Sequence, residues 1–485
     1  MMKRPSLVSV ARGDAPADVV LRGGRVVNVF SGELEEVDVA VTGGWIAGLG
    51  SGYDGESIIE LDGRFLAPGF IDAHVHVESS MATPREFARA VVPRGTTTVI
   101  SDPHEIANVH GLEGVRFMLE ASEGLPLTVF VMAPSCVPAT HMGTAGATLG
   151  ATDLETLLDH PRVLGLAEVM NFPGVIHEDP GVSAKLRTFR GRPVDGHAPG
   201  VRGRQLNAYI AGGPASDHES TSWEEALEKL RRGMTVFFRN ATNARNLNDL
   251  LPAMTRENLR RIALCTDDRQ PPDLLEEGGI DAMLRTVIQS GVPPMEAIRL
   301  ATLNPSEHYG LRDRGGISPG RRADLVVLDD LAALEVHQVF SGGLKAAEKG
   351  ESLPWDVPSH PKPPAPSMKI GKEALDFRIS ARAGKARVIR VIPHQIVTET
   401  EEVIPSTAGG QVCSDPSRDL LKIAVIDRHT GSGRVGLGLV RGVGLHRGAM
   451  AGTVAHDHHN LVVIGADDLS MRTAAVEVAR MEGGL

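Results

Sequence analysis

Residues 69–81, GFIDAHVHVESSM, end an apolar run on two histidines one residue apart. Side chains alternate across a strand, so His74 and His76 project to one side while Val75 faces the other. Two imidazoles held side by side form a chelate for a metal ion, although a His-x-His pair alone is more often an ordinary core or surface pair. The metal reading needs at least two more donors elsewhere in the chain.

Outward from this stretch, residues 70 to about 305 alternate apolar strands with helical segments. The strands read as FIDAHVH, TTTVISD, LTVFVMAP, VLGLAEVM, RPVDGHA, PASDHE, MTVFFRN and RIALCTDD. Eight strands with helices between them, over roughly 240 residues, match an α/β fold of the (β/α)8 TIM-like barrel type, whose reactive groups stand at the C-terminal strand ends. Strand four ends in Glu168, strand five in His197, strand six in His218 and strand eight in Asp267. With His74 and His76 these are six nitrogen or carboxylate donors, and a closed barrel brings them to one mouth. Singly, His197 reads as a turn residue beside Gly196, Glu168 as a helix cap and Asp267 as an N-cap. Their ordered placement at strand ends favours a shared metal site. Strand two adds Asp102, His104 and Glu105 to the same mouth, although Asp102 with Pro103 also reads as a plain helix start.

The flanks carry a different pattern. Residues 18–66 and 315–350 contain short alternating runs broken by glycine pairs, which suit hairpins and predict one small β-sandwich built from both sides of the barrel at 67–314. A proline-rich linker is expected over 351–368, around PWDVPSHPKPPAPS. Residues 369–485 read as a C-terminal α/β domain with strands in ARVIRVIPHQIVTE, LLKIAVIDR and NLVVIG and a helix in LSMRTAAVEVARMEGG.

At 485 residues the chain exceeds one ordinary core, which agrees with this division. A net charge of -11 and the lack of a long basic run argue against nucleic acid as a partner and point to a small molecule. Cys136, Cys265 and Cys413 show no CxxC spacing, so neither a disulfide framework nor a zinc ribbon is expected. The start has no apolar core of signal-peptide length, and no window of 18 uninterrupted apolar residues follows. A cytoplasmic protein without membrane contact, assembling as a homo-oligomer, is the expectation.

PGFIDAHVHVESSM, TTTVISDPHEIANVHG, LAEVMNFPGV, DGHAPG, SDHES and CTDDR, with AHDHHN near the C-terminus, together resemble bacterial-type adenine deaminases of the amidohydrolase superfamily. The resemblance runs from about residue 20 to the end. It implies a binuclear metal centre with His74 and His76 on one ion, His197 and His218 on the other, and Glu168 bridging where many relatives use a carboxylated lysine. It assigns Asp267 to the first ion and to proton transfer, so that Asp267 and Glu168 are the catalytic pair, and it sets Asp102 and Glu105 near the substrate. The implied reaction is hydrolysis of adenine to hypoxanthine and ammonia, a purine-salvage step. Nitrogen and oxygen donors without thiolate suit Fe(II), Mn(II) or Zn(II), and the resemblance favours iron or manganese. Two departures stand out. Arg239-Asn240-Ala241-Thr242 replaces an Arg-Glu-Gly-Ser run, and Gly279 stands where a histidine is usual. They keep open a different aminopurine or cyclic amide as substrate, or a silent nucleobase-binding relative. His456, Asp457, His458 and His459 read as a docking or hydrogen-bonding motif rather than a further metal site.

Overall fold

The computed structural model describes residues 6–356, 361–395 and 397–485; residues 357–360 of the expected linker lie outside the described residues. Its centre is a parallel sheet curled in sequence order. Strands β1 (Phe70–Val75), β2 (Thr96–Ser101), β3 (Thr128–Ala133), β4 (Val163–Val169) and β5 (Val194–Gly196) form one five-stranded part. Strands β6 (Ser216–Asp217), β7 (Thr235–Arg239) and β8 (Ile262–Cys265) form a three-stranded part.

Backbone hydrogen bonds approach both seams between the parts. Ala215 N–H donates to Val194 O at 2.9 Å beside β5 and β6, and Asp267 N–H donates to His74 O at 3.0 Å beside β8 and β1. Every residue of β1, β2, β7 and β8 is buried, as expected for parallel strands covered on both faces. On the concave side Ala73, Ile100, Met132, Ala167, Phe237 and Ala263, from six different strands, pack as one cluster. The curl is therefore filled below, and the polar strand ends stand above that floor.

Strands from the two flanks pair with one another. Leu325 to Leu328 pair antiparallel with Pro68 to Phe65 in a seven-stranded sheet that also holds Arg25–Asn28 and Glu335–Ser341. A second sheet of four strands comes from residues 17–60 alone. Leu21, Val41, Ile46, Leu66, Val327 and Phe340 share the core between the sheets.

The C-terminal unit is a six-stranded sheet with Asp468–Arg480 as its long helix. Asp467 caps that helix by accepting from Ser470 N–H at 2.8 Å, and Met471, Ala475 and Val478 bury the face that i, i+4, i+7 spacing creates. The segment between strands Ala449–Gly452 and Leu461–Gly465 reaches the strand ends of the curled sheet. Among the described residues no helix is long and apolar enough to cross a membrane.

Candidate metal centre

β1 delivers His74 and His76 as alternation requires: their Nε2 atoms lie 3.0 Å apart and both side chains are buried. Pairing of β1 with β2 slips between Asp72 and Val75, and pairing of β4 with β5 slips between Leu166 and Val169. Such irregularities re-aim side chains, and these two bracket His74 and Glu168. At β4 and β5 the strand ends are tied from behind. The Tyr209 hydroxyl accepts from His197 N–H at 2.9 Å and donates to Val169 O at 3.0 Å.

Glu168 lies at the middle of the cluster with one oxygen toward each histidine pair. Oε1 is 3.2 Å from His76 Nε2 and 3.7 Å from His74 Nε2, while Oε2 is 3.2 Å from His218 Nε2 and contacts His197 Nδ1. Asp267 Oδ1 completes the first group at 3.2 Å from His76 and 3.6 Å from His74. Two ligands on one ion with bonds of about 2.1 Å stand about 3.0 Å apart at a right angle and about 3.4 Å apart at a tetrahedral angle. The spacings of these donors fall around that range.

The second atoms of the rings fit the same use. His76 Nδ1 is 2.8 Å from Asp102 O, a contact that places a proton on Nδ1 and turns Nε2 toward the cluster. Charge is poised as well. Burial opposes ionisation of Glu168, yet the charges of His197 and His218 overcome it and hold the carboxyl well below its ordinary range. Burial likewise opposes a charge on His218, and Glu168 outweighs it, raising His218 to about 9. Asp267 is held low against burial by His76 and Arg239. Protons on the imidazoles neutralise the two acids here, and a divalent cation would take over that task by displacing them. The chemistry of these residues therefore suits divalent cations, as the resemblance implies.

Around the six donors the structure adds residues that strand-end reasoning left without a role. Arg239, fully buried at the end of β7, contacts Glu219 and lies 3.1 Å from Asp267 Oδ2. Glu219 Oε1 is in turn 3.4 Å from His218 Nε2 and 3.8 Å from His197 Nδ1. An arginine closing the otherwise apolar run TVFFR was the signal available. His104 Nδ1 is 3.0 Å from Asp102 Oδ2 and 3.3 Å from Glu168 Oε1. Asp102 Oδ1 is buried with no partner among the described residues. Asp72, two residues before His74, accepts from Thr266 N–H at 3.0 Å and ties β1 to the end of β8; burial raises its carboxyl to about 7.

Extended geometry would turn Asp268 away from Asp267. The chain instead leaves the extended region at Asp267, whose φ is 54°, and Asp268 stays at the mouth with Oδ1 4.0 Å from His456 Nδ1. Glu105 is buried there too, accepting from Ser79 Oγ at 2.5 Å.

Comparison with known proteins agrees over the whole chain. A model described as the amidohydrolase family matches residues 65–346, and one described as the adenine deaminase C-terminal domain matches residues 395–485. The chain is 53% identical over 481 residues to an adenine deaminase of Desulfatibacillum aliphaticivorans, covering 99% of this chain and 84% of that protein. It is 46% identical over 486 residues to an adenine deaminase of Methanothrix thermoacetophila, covering 100% of this chain and 85% of the relative. Among solved structures, an adenosine deaminase from Xanthomonas campestris with bound zinc is similar with a TM-score of 0.51 at 16% identity, over 70% of this chain and 95% of that one. A beta-aspartyl dipeptidase from Fervidobacterium islandicum is similar with a TM-score of 0.53 at 17% identity, over 71% and 100%. These two likenesses show a shared fold.

Proposed function

The chain belongs to the amidohydrolase family, among its adenine deaminases, and on that premise we propose that it hydrolyses adenine to hypoxanthine and ammonia. The reading is carried by one observation: Glu168 turns one oxygen to His74 and His76 and the other to His197 and His218. A carboxylate so placed would hold two divalent ions at once. We assign His74, His76 and Asp267 to one ion, His197 and His218 to the other, and Glu168 to both. Nitrogen and carboxylate donors without thiolate favour Fe(II) or Mn(II), with Zn(II) compatible. Divalent ions held there would lower the pKa of water from 15.7 toward about 7 and so supply the nucleophile.

The protein's own groups then have separate tasks. Water adds its oxygen to C6 of adenine, and the C6–N6 bond breaks once the departing nitrogen is protonated. Asp267 passes one proton of the water to a ring nitrogen as the C6–O bond forms, and the proton of the new C6 hydroxyl to the departing nitrogen, leaving hypoxanthine and ammonia. Arg239 holds Asp267 Oδ2 from behind, so Oδ1 keeps its direction toward the cluster. Asp102 and Glu105 face the purine from the β2 side, where their carboxylates can accept from its N–H groups. Buried walls around them limit entry of bulk water.

We also read the two parts of the curled sheet as one closed (β/α)8 barrel spanning 67–314, flanked by a sandwich from 18–66 and 315–350 and by a C-terminal domain. The hydrogen bonds at both seams and the common interior cluster support this. Ammonia release from adenine, set beside other aminopurines and cyclic amides, tests the function. Turnover of another member of the panel with none of adenine would overturn it.

A further inference from the structure

One cluster near the mouth is not used by the metal centre. Glu105, His456 and His459 offer ligand atoms within 4.8 Å of one another, with Asp268 beside them. His456 Nδ1 lies 2.6 Å from Glu105 Oε1. Two ligands of a shared ion would stand about 3.4 Å apart at a tetrahedral angle. The 2.6 Å contact is a charge-assisted hydrogen bond with a proton between the atoms.

The partners come from opposite parts of the chain. Glu105 lies in the first turn of the helix His104–His110 that follows β2, whereas His456 sits on the segment between the last two strands of the C-terminal sheet. The same segment brings Asp457 Oδ1 to 3.9 Å from His104 Nε2. It is docked by neighbours that touch no mouth carboxylate. His458 Nε2 is 3.2 Å from Thr140 O, and Asn460 donates to Thr144 O at 2.7 Å.

We propose that His456 is a positioning residue supplied to the active site by the C-terminal unit: its hydrogen bond to Glu105 fixes the carboxylate that faces the substrate. This rests on the reading of Glu105 as substrate-facing. His456 is suited to the task because burial, which disfavours its charge, is outweighed by Asp268 and Glu105, raising it to about 10. It stays a cationic donor at neutral pH. Glu105 is correspondingly held below the usual carboxylate range against burial.

The test compares His456→Ala, His456→Asn and His458→Ala in the full chain, with adenine turnover, metal content and a double-mutant cycle with Glu105→Gln. His456→Ala should lower kcat/KM about 10–100-fold, the loss expected for a charge-assisted hydrogen bond, with metal content unchanged. His456→Asn, which returns a donor near the Nδ1 position, should recover several-fold of that loss. His458→Ala should stay within about 3-fold of the parent. In the Glu105→Gln background, His456→Ala should change kcat/KM by less than about 3-fold, because both act through one contact. Equal losses in His456→Ala and His458→Ala, additive effects in the cycle, or a metal equivalent lost on His456→Ala would each overturn the proposal. A parent chain that releases no ammonia from adenine would defeat the functional reading instead. The pair is then judged by NMR titration of His456, whose pKa must fall in Glu105→Gln; an unmoved pKa overturns it.

Discussion

Replacing Lys229 with methionine should damage the metal centre from behind. Lys229 lies on the helix Trp223–Arg231, is fully buried, and donates to Ala198 O at 2.8 Å, Asp217 Oδ2 at 2.8 Å, Ser220 Oγ at 3.1 Å and Glu225 Oε1 at 2.7 Å. Ala198 follows His197 and Asp217 precedes His218, so one ammonium ties together the two loops that carry that histidine pair. Burial works against the Asp217 charge, but Lys229 outweighs it and the carboxyl sits at about 2 instead of 3.8. That difference corresponds to roughly 2–3 kcal/mol at about 1.36 kcal/mol per pKa unit. Leaving Asp217 and Glu225 buried without their cation is expected to cost about 3–5 kcal/mol, in line with the first figure. For a unit of barrel size, ~2–4 °C per kcal/mol gives a fall of at least about 6 °C in the melting transition. Because the Asp217 pKa is depressed on folding, its contribution is present above pH 3.8 and is lost as pH falls through about 2. The variant should lose that acid dependence. Thermal denaturation at pH 7 and at pH 2–4, with elemental analysis of the same samples, measures all three effects. A melting shift below about 2 °C with metal content intact would refute the reasoning.

The other predictions address the centre directly. The purified protein should carry close to two transition-metal ions per chain by elemental analysis, and Glu168→Gln should lose most of them while Glu105→Gln keeps them; equal loss would contradict the bridging role. Asp267→Asn should retain part of its metal while kcat for adenine falls about 10²–10⁴-fold, with Asp268→Asn affected less in parallel assays. The reverse order would place the proton carrier at Asp268. A Cβ added at Gly196 would lie 2.1 Å from Ser216 O, so Gly196→Ala must push β5 and β6 apart. It should cost about 1–3 kcal/mol and weaken metal retention, and a melting curve overlaying the parent's would count against the tight seam.

Much of the fold was legible because parallel strands buried on both faces leave long apolar runs, and runs such as TTTVIS and TVFFR coincide with β2 and β7. β6 is the counterexample: PASDHE contributes only Ser216 and Asp217 to a strand. There the pairing depends on neighbours and not on the residues' own preference. The six donors stood out for a related reason. Polar residues that interrupt or close a buried run cost free energy unless something satisfies them, so their placement carries information. Arg239 obeys the same rule and could have been given a role on it, since the charge at the end of TVFFR is buried against Glu219 and Asp267.

What sequence alone could not supply depends on where the chain stops being periodic. Alternation orders side chains only while the backbone stays extended, and the turn at Asp267 breaks the rule one residue before it was needed for Asp268. His456 poses a harder version of the problem. AHDHHN lies far from β2 in sequence, and no local spacing links it to Glu105; the two meet because the C-terminal segment docks on the loop after β3, where several contacts, Asn460 with Thr144 among them, share the task. The six proposed ligands descend from single strands, each readable by itself, whereas the Glu105–His456 contact is a property of two units packed against each other. An active site assembled in both ways should therefore tolerate changes on the C-terminal sheet that preserve this segment. Within the segment it should be most sensitive at His456, the residue that reaches Glu105.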